Sequence, residues 1–190
     1  MQYIGFDIGI RNLAYCIVVA DEHGNDVHIQ QVRKIDMECK KSEHQKLVDA
    51  TINVLDDVLH DNLDASKPIT VLIESQMTSV MRCIQTVINT FFKVNAKYMD
   101  IDMQTRYVSP KIKLSMINRY TSEYVRLLRS PKVSSYKQNK LDAVHFTMWL
   151  LDGKKYGDAK VKQQLIASNK PDDECDSLLM TFAYIESKAR

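Results

Sequence analysis

The sequence lacks the features that would mark a membrane protein, a disulfide-rich protein or a zinc protein. Its longest apolar run, residues 13–20, has eight residues, whereas a helix needs about 20 to cross a bilayer. The first residues show no basic stretch followed by an apolar one, so we expect no signal peptide. The four cysteines are widely spaced without a C-x-x-C pair, and the five histidines form no ligand pair. This pattern indicates reduced thiols and no structural zinc.

Glycine and proline are also scarce, with five and four residues, and the sequence contains no repeats. A chain of 190 residues that is 45% hydrophobic and 26% charged is typical of one globular domain, here residues 1–190. Its net charge of +2 is unevenly distributed, because residues 106–140 hold nine Lys or Arg residues and one acid. This basic segment indicates contact with a polyanion, although a solvated basic surface explains the composition equally well.

The order of apolar segments predicts three strands, then a helix, a strand, a helix, a strand and further helices. Short turns separate the first three strands, which should form an antiparallel meander followed by parallel strands. Helices on both faces would complete an α/β fold with a mixed five-stranded sheet. The predicted strands are residues 3–7, 13–20, 27–35, 69–74 and 101–108. The predicted helices are residues 41–63 (capped by Ser42 with Gln45), 80–92, 111–120, 122–128, 136–151 and 173–187, with a loop at 153–157.

Two acidic residues end predicted buried strands. Asp7 closes the first strand just before Gly9, and Glu74 closes the apolar run Val-Leu-Ile-Glu. An ionised carboxylate buried without a partner costs several kcal/mol, so each of these acids needs a metal, a cation or hydrogen bonds. If the two strands are neighbours, both acids emerge at one edge of the sheet, where open α/β sheets place their sites. For Asp7 alone, a hydrogen bond to the following turn is an equally good explanation.

Asp173 and Asp176 lie three residues apart at the start of the last predicted helix, so they share one face. Acids also stabilise a helix N-terminus through its dipole, and this explains the pair without a ligand. Together with Asp7 and Glu74, however, they make a set of hard oxygen donors of the kind that Mg²⁺ prefers. Two such ions can activate water and stabilise the leaving oxygen of a phosphodiester.

Three short motifs carry a resemblance to a known family. Residues 5–15 (GFDIGIRNLAY) resemble the first motif of the RuvC-type Holliday junction resolvases, with Ile8 where bacterial members commonly have proline. Residues 71–76 (VLIESQ) resemble the second motif, and residues 173–179 (DECDSLL) resemble the last. In length and motif order the whole chain is most similar to the poxvirus Holliday junction resolvases. The order of predicted elements is also that of their RNase H-like fold.

The resemblance implies a homodimer that nicks four-way DNA junctions symmetrically, with two Mg²⁺ ions per site for which Mn²⁺ can substitute. Asp7, Glu74, Asp173 and Asp176 would hold the metal, although Asp172 can replace Asp173 as the ligand. A catalytic lysine is also implied, and Lys113 fits the family spacing better than Lys111; it would hold the scissile phosphate. The implied location is the cytoplasm, at sites of viral DNA replication. The helix at residues 80–92 is apolar on more than one side, which suits either a core or the dimer seam.

Cations interleave with aromatic residues in the basic segment. Such cations would bind DNA phosphates with a strong salt dependence. Tyr120 and Tyr124 are four residues apart and are predicted to be half-buried helix residues rather than to stack on opened bases. The residues predicted to contact DNA are Lys111, Arg119, Arg126, Arg129, Lys132, Lys137 and Lys140.

Three other functions compete with this one. An ATPase of the actin and sugar-kinase class also has Asp-x-Gly after its first strand, but it needs two such domains, which 190 residues cannot readily supply. A DNA-binding module without cleavage would bind junctions and leave them intact. A nuclease of the same fold could instead cut flaps or RNA–DNA hybrids.

Overall fold

Five strands form one mixed sheet in the structure, a computed structural model that describes residues 1–120, 122–124 and 134–189. The strand order is β3-β2-β1-β4-β5. The first three strands pair antiparallel, and β4 and β5 continue the sheet in parallel with β1. The predicted strands are confirmed to within two residues at each end. The strands are β1 Gln2–Ile8, β2 Asn12–Ala20, β3 Val27–Asp36, β4 Ile69–Glu74 and β5 Met103–Val108.

Six α-helices in the described ranges flank this sheet, and a short π-helical turn, Leu150–Lys154, separates α4 from α5. None of these helices is long and apolar enough to cross a membrane. The helices are α1 His44–Asn62, α2 Ser79–Met99, α3 Lys111–Arg119, α4 Ser135–Trp149, α5 Ala159–Ala167 and α6 Asp172–Lys188.

Several helix boundaries differ from the predicted ones. Helix α1 starts three residues later, with Glu43 rather than Ser42 as its N-cap. Helix α2 runs seven residues further, until Asp100 adopts the left-handed conformation that ends it. The loop predicted at residues 153–157 begins inside the π-helical turn, and α5 follows it on a cap supplied by the Asp158 carboxylate. Of the helix predicted at 122–128, residues 122–123 form a turn and 125–128 lie outside the described residues.

The core has two halves, one on each face of the sheet. Helices α1 and α2 cover one face, where Leu55 and Ile88 pack against the strands. Helices α3 to α6 cover the other, with Phe146 and Phe182 among its buried side chains. This three-layer arrangement confirms the predicted α/β class with helices on both faces.

Gly5 allows α6 to lie directly on the sheet. A Cβ atom at this position would come within 2.0 Å of the Thr181 hydroxyl oxygen and 3.0 Å of the Ser177 carbonyl oxygen. Because β1 needs glycine here, α6 packs against it closely enough to bring its own N-terminus beside the end of β1.

Candidate active site

The candidate site lies at the edge of the sheet where β1, β4 and β5 all end. Since β1 and β4 are parallel neighbours, Asp7 and Glu74 emerge side by side, as predicted from their positions at strand ends. The parallel strand β5 delivers the start of α3 to the same edge. Helix α6 begins nearby, and its first two turns carry Asp173 and Asp176. The four predicted carboxylates therefore line one cleft of about 610 Å³.

Lys113 lies among these carboxylates. Its Nζ atom is 2.8 Å from Glu74 Oε1 and 3.1 Å from Asp176 Oδ2. Burial alone would lower the pKa of the Lys113 ammonium, but the charges of Asp176 and Glu74 outweigh burial and raise this pKa above its usual value. Lys113 is thus a fixed cation bridging β4 and α6. Lys111 is exposed on the rim of the cleft.

Asp7 and Glu74 share a hydrogen bond, and their pKa values shift in opposite directions. Burial raises the pKa of Asp7 well above its usual value, and the negative charge of Glu74 raises it further. For Glu74, burial also raises the pKa, but the Lys113 charge and hydrogen bonds from Asp7, Lys113 and Gln76 outweigh burial and lower it. Glu74 is therefore the stronger acid of the two, and sharing a proton reduces the repulsion between them.

The start of α6 is held by contacts from two other elements. The Asn12 side-chain amide donates a hydrogen bond to Asp173 Oδ2 at 3.3 Å. The Nζ atom of Lys140, on α4, lies 2.5 Å from Asp172 Oδ2 and 3.6 Å from Asp173 Oδ1. Asp173 lines the cleft, whereas Asp172 is not among the lining side chains in the described ranges.

The donor set fits a hard divalent cation in chemistry and charge. Four carboxylates meet in the cleft, and burial raises the pKa of Asp176 even though Lys113 opposes this. Oxygen donors of this kind, concentrated and only partly neutralised, are what Mg²⁺ or Mn²⁺ requires. As they stand, no three acidic, histidine or cysteine side chains in the described ranges are arranged to hold one ion. The side chains of Glu74 and Asp176 instead converge on Lys113 Nζ.

The residues predicted to contact DNA have different surroundings. Lys137 is exposed, and Lys140 lines the cleft. Arg119 is paired with Glu186 of α6, with 3.1 Å between Nη2 and Oε2, so its guanidinium faces inward. Arg126, Arg129 and Lys132 lie outside the described residues.

Tyr120 and Tyr124 pack against other aromatic residues, but only Tyr120, the half-buried C-cap of α3, fits the prediction of half-buried helix residues, because Tyr124 lies outside any helix. Tyr124 is buried, with its ring centroid 4.8 Å from that of Phe146. The Tyr120 ring packs on Trp149, and its hydroxyl donates to Glu186 at 2.7 Å.

Sequence reasoning missed several residues that shape the site. Asn12 lies inside the first motif, and Gln76 ends the second, so both could have been found as polar residues beside a predicted ligand. The pairing of Lys140 with Asp172 spans 32 residues between separate helices, and no local pattern signals it.

The order and pairing of the strands, with carboxylates at the ends of β1 and β4 and a helix bringing two more, define the RNase H-like fold with an acidic cleft. Holliday junction resolvases are among the structural neighbours. The Fowlpox virus resolvase, solved with its substrate Holliday junction DNA, aligns with a TM-score of 0.61 and 21% identity over 98% of each chain. The Holliday junction resolvase of yeast mitochondria aligns with a TM-score of 0.66 and 16% identity over 98% of this chain and 78% of its own.

RuvC of Thermus thermophilus, in complex with Holliday junction substrate, aligns with a TM-score of 0.57 and 12% identity over 96% of this chain and 92% of its own. No family model matches the chain, and a search of curated proteins also found no match. The resemblance carried by the three sequence motifs is therefore confirmed at the level of the fold.

Proposed function

We propose that this protein is a metal-dependent endonuclease that resolves four-way DNA junctions by paired, symmetric nicks. The observation that carries the proposal is the meeting of Asp7, Glu74, Asp173 and Asp176 around Lys113 in one cleft. The fold is that of the junction resolvases, and two of the neighbours were solved with Holliday junction DNA.

In this proposal, the four cleft carboxylates hold two Mg²⁺ ions, for which Mn²⁺ can substitute. When bound, the ions supply an activated water and offset the charge that develops on the phosphate. Asp173 is preferred to Asp172 as a ligand because Asp173 lines the cleft and Asp172 is paired with Lys140.

Lys113 has two tasks in this proposal. Without metal it neutralises Glu74 and Asp176, since its ammonium bridges them. With metal and DNA present, the ammonium is released from part of this charge and holds a non-bridging oxygen of the scissile phosphate. Asn12 keeps the Asp173 carboxylate in one orientation through its hydrogen bond.

The basic segment supplies the DNA contact. Lys111 and Lys137 are exposed, and Lys111 lies on the rim of the cleft, where a cation meets the DNA backbone next to the cut. Because phosphate contacts release counterions, junction binding should weaken steeply with salt. We infer that shape rather than base sequence determines selectivity, since the sequence contains no base-reading motif.

We further propose that two copies pair through α2. The inner face of this helix, which includes Ile84 and Ile88, is buried on the sheet. A second apolar stripe runs beside it at helical spacing; its middle members, Val87 and Phe91, pack partly against the core, and its last members are 60% and 89% exposed. This outer stripe consists of Cys83, Val87, Phe91, Val94 and Tyr98. A second copy would bury it and would place two clefts on one junction. The location at cytoplasmic sites of viral DNA replication stays a prediction from the resemblance.

One assay tests the activity. The protein is incubated with Mg²⁺ and, in parallel, with a mobile four-way junction, a flap and an RNA–DNA hybrid. Paired symmetric nicks confined to the junction are expected. Binding without nicks would favour a DNA-binding module, and preferential cutting of the flap or hybrid would favour a nuclease with another target.

Site variants test the assignment. Asp7→Asn and Asp176→Asn should abolish nicking and leave junction binding largely intact, because losing a metal ligand need not disturb the phosphate contacts. Asp56→Asn on the exposed side of α1 is the matched control for the loss of one negative charge. Full activity in either cleft variant would overturn the assignment.

A further inference from the structure

The first two turns of α6 carry four acids that divide between two directions. Asp172, Asp173 and Asp176 lie on the side of the cleft lysines, whereas Glu174 is 5% exposed and pairs on the other side with Lys34 of β3. The three aspartates therefore face the cleft lysines, whereas Glu174 pairs with a lysine of β3.

Lys34 joins β3 to both the start of α6 and the loop that leads into it. Its Nζ atom lies 3.2 Å from Glu174 Oε2 and donates to the carbonyl oxygens of Asn169 at 3.1 Å and Lys170 at 2.7 Å. The Ser168 hydroxyl oxygen is a fourth, longer contact at 3.5 Å, so the three N–H donors of the ammonium all have acceptors. The Ser168 hydroxyl lies 3.1 Å from both carboxylate oxygens of Glu174. The pair thus belongs to a satisfied hydrogen-bond network rather than being an isolated contact.

The position of Glu174 fixes the rotation of α6 about its axis. Successive residues of an α-helix are about 100° apart, so Glu174 points about 100° from Asp173 and about 160° from Asp176. Anchoring Glu174 on β3 therefore turns Asp173 and Asp176 towards the cleft. A rotation by one residue would bring Asp172 to the place of Asp173 and would break this arrangement.

The loop before α6 adds a second constraint. Lys170 has a φ of 63° and precedes Pro171, which forms the N-cap of the helix. Both carbonyl oxygens that accept hydrogen bonds from Lys34 lie in this loop, so the ammonium fixes where the helix begins as well as how it is rotated.

We propose that Lys34 is a positioning residue that sets the rotation of α6 and thereby selects Asp173 and Asp176 as the carboxylates presented to the metal. Lys34 reaches the cleft only through Glu174 and the preceding loop, and this inference rests on the proposed function. Partners that orient a ligand without touching the metal typically change metal affinity by about 10- to 100-fold.

The first test removes the ammonium with Lys34→Met. Calorimetric titration with Mn²⁺ alone, without DNA, should give an affinity about 10- to 100-fold weaker than that of the unaltered protein. In the nicking assay, the Mg²⁺ concentration needed for half the maximal rate should rise, and the rate at saturating Mg²⁺ should return towards that of the unaltered protein. Junction binding without divalent metal should be unchanged. A loss of folded protein would instead lower the saturated rate and junction binding together.

Arg33→Met is the matched control, because it removes one positive charge from the preceding residue of β3, where the side chain is exposed. It should leave Mn²⁺ affinity unchanged. Lys34→Met leaves the Glu174 carboxylate buried without its cation. The double variant Lys34→Met/Glu174→Gln removes this unpaired negative charge as well. Its Mn²⁺ affinity should stay weak, because the loop at residues 168–170 has still lost its anchor.

Mn²⁺ affinity in the double variant equal to that of the unaltered protein would overturn the positioning role of Lys34. An equal fall in affinity for Arg33→Met would also overturn it, since the effect would then be one of general charge. If the unaltered protein binds Mn²⁺ but cuts no junction, the proposed function fails, while a Lys34-dependent Mn²⁺ affinity still supports the positioning role.

Discussion

Lys113 lies between two carboxylates of the cleft and compensates their negative charge. Its side chain is 14% exposed, and its ammonium contacts carboxylates from two different elements. In Lys113→Met, Glu74 and Asp176 would face each other without compensation. Breaking a buried pair in this way costs about 3 kcal/mol or more. We expect this loss of unfolding free energy in metal-free protein, a smaller loss with Mg²⁺ present, and no nicking.

Chemical denaturation with and without Mg²⁺ measures this effect. Lys111→Met is the control for stability, since its side chain is exposed two residues away and should change the unfolding free energy little. A Lys113→Met protein as stable as the control in the absence of metal would show that the ammonium does not neutralise the cleft.

Asp172 and Asp173 should differ in their effect on nicking, although they are adjacent and have the same chemistry. Asp173 lines the cleft and is oriented by Asn12, whereas Asp172 is paired with Lys140. Asp173→Asn should reduce the nicking rate by about 100-fold, and Asp172→Asn by less than about tenfold. Rates for both variants, measured on the same junction at the same Mg²⁺ concentration, compare the two. The reverse order would make Asp172 the ligand.

Helices α3 and α6 are held together by side-chain contacts at both ends of α3. Lys113, in the first turn of α3, pairs with Asp176, in the second turn of α6. At the other end, the Glu186 carboxylate accepts hydrogen bonds from Tyr120 at 2.7 Å, Lys155 at 2.6 Å and Tyr156 at 2.9 Å, in addition to its pair with Arg119. Because α3 is only nine residues long, these contacts at its far end help to fix the direction in which it presents Lys113.

This far-end cluster predicts an acid-sensitive contribution to stability. Burial raises the pKa of Glu186, but hydrogen bonds from Lys155 and the two tyrosines outweigh burial and lower it below the ordinary value of 4.5. The folded protein thus binds the Glu186 proton less readily than the unfolded chain does. The stabilisation is complete above pH 4.5 and is lost as the pH falls through the lowered pKa.

Glu186→Gln should remove about 2 kcal/mol of unfolding free energy near neutral pH and flatten the decline towards acid pH. Urea denaturation over a pH series measures both changes. Glu22→Gln, at an exposed turn, is the control and should keep the shape of the curve. An unchanged acid decline in Glu186→Gln would assign the titration to other groups.

At the scale of elements, the sequence predicted the strands well and the contacts between helices poorly. The strands are short apolar runs bounded by turns, so each can be recognised from its local sequence. Asp7 and Glu74 could therefore be predicted to be neighbours. Helix α5 was missed because few of its residues are buried and its start depends on the Asp158 cap. Arg119 was predicted to contact DNA from charge alone, and its partner, Glu186, is 67 residues away in the sequence.

At the scale of the whole molecule, the proposed paired nicks would require two clefts, and the outer stripe of α2 is the surface through which we propose that two copies pair. Val94→Asp should convert a dimer to a monomer, because a charge in the apolar stripe would have to be buried without a partner. Sedimentation measures the change in mass. On a supercoiled plasmid that carries a cruciform, the variant should produce nicked circles, whereas the unaltered protein is expected to produce linear DNA.

Ile166→Asp is the matched control for this variant, since Ile166 is a 66% exposed apolar residue on α5 rather than on the stripe. It should leave both the mass and the linear product unchanged. A Val94→Asp protein with the mass of the unaltered one would move the contact between copies to another surface.

The close contact of α6 with β1 at Gly5 also has a consequence for the synthesis of the protein. Asp7 leaves the ribosome long before Asp173 and Asp176, which arrive only with α6. Domains form as units while the chain emerges, so the cleft cannot be completed until α6 has been translated. A chain that stalls before α6 would therefore carry Asp7, Glu74 and Lys113 without the other two carboxylates.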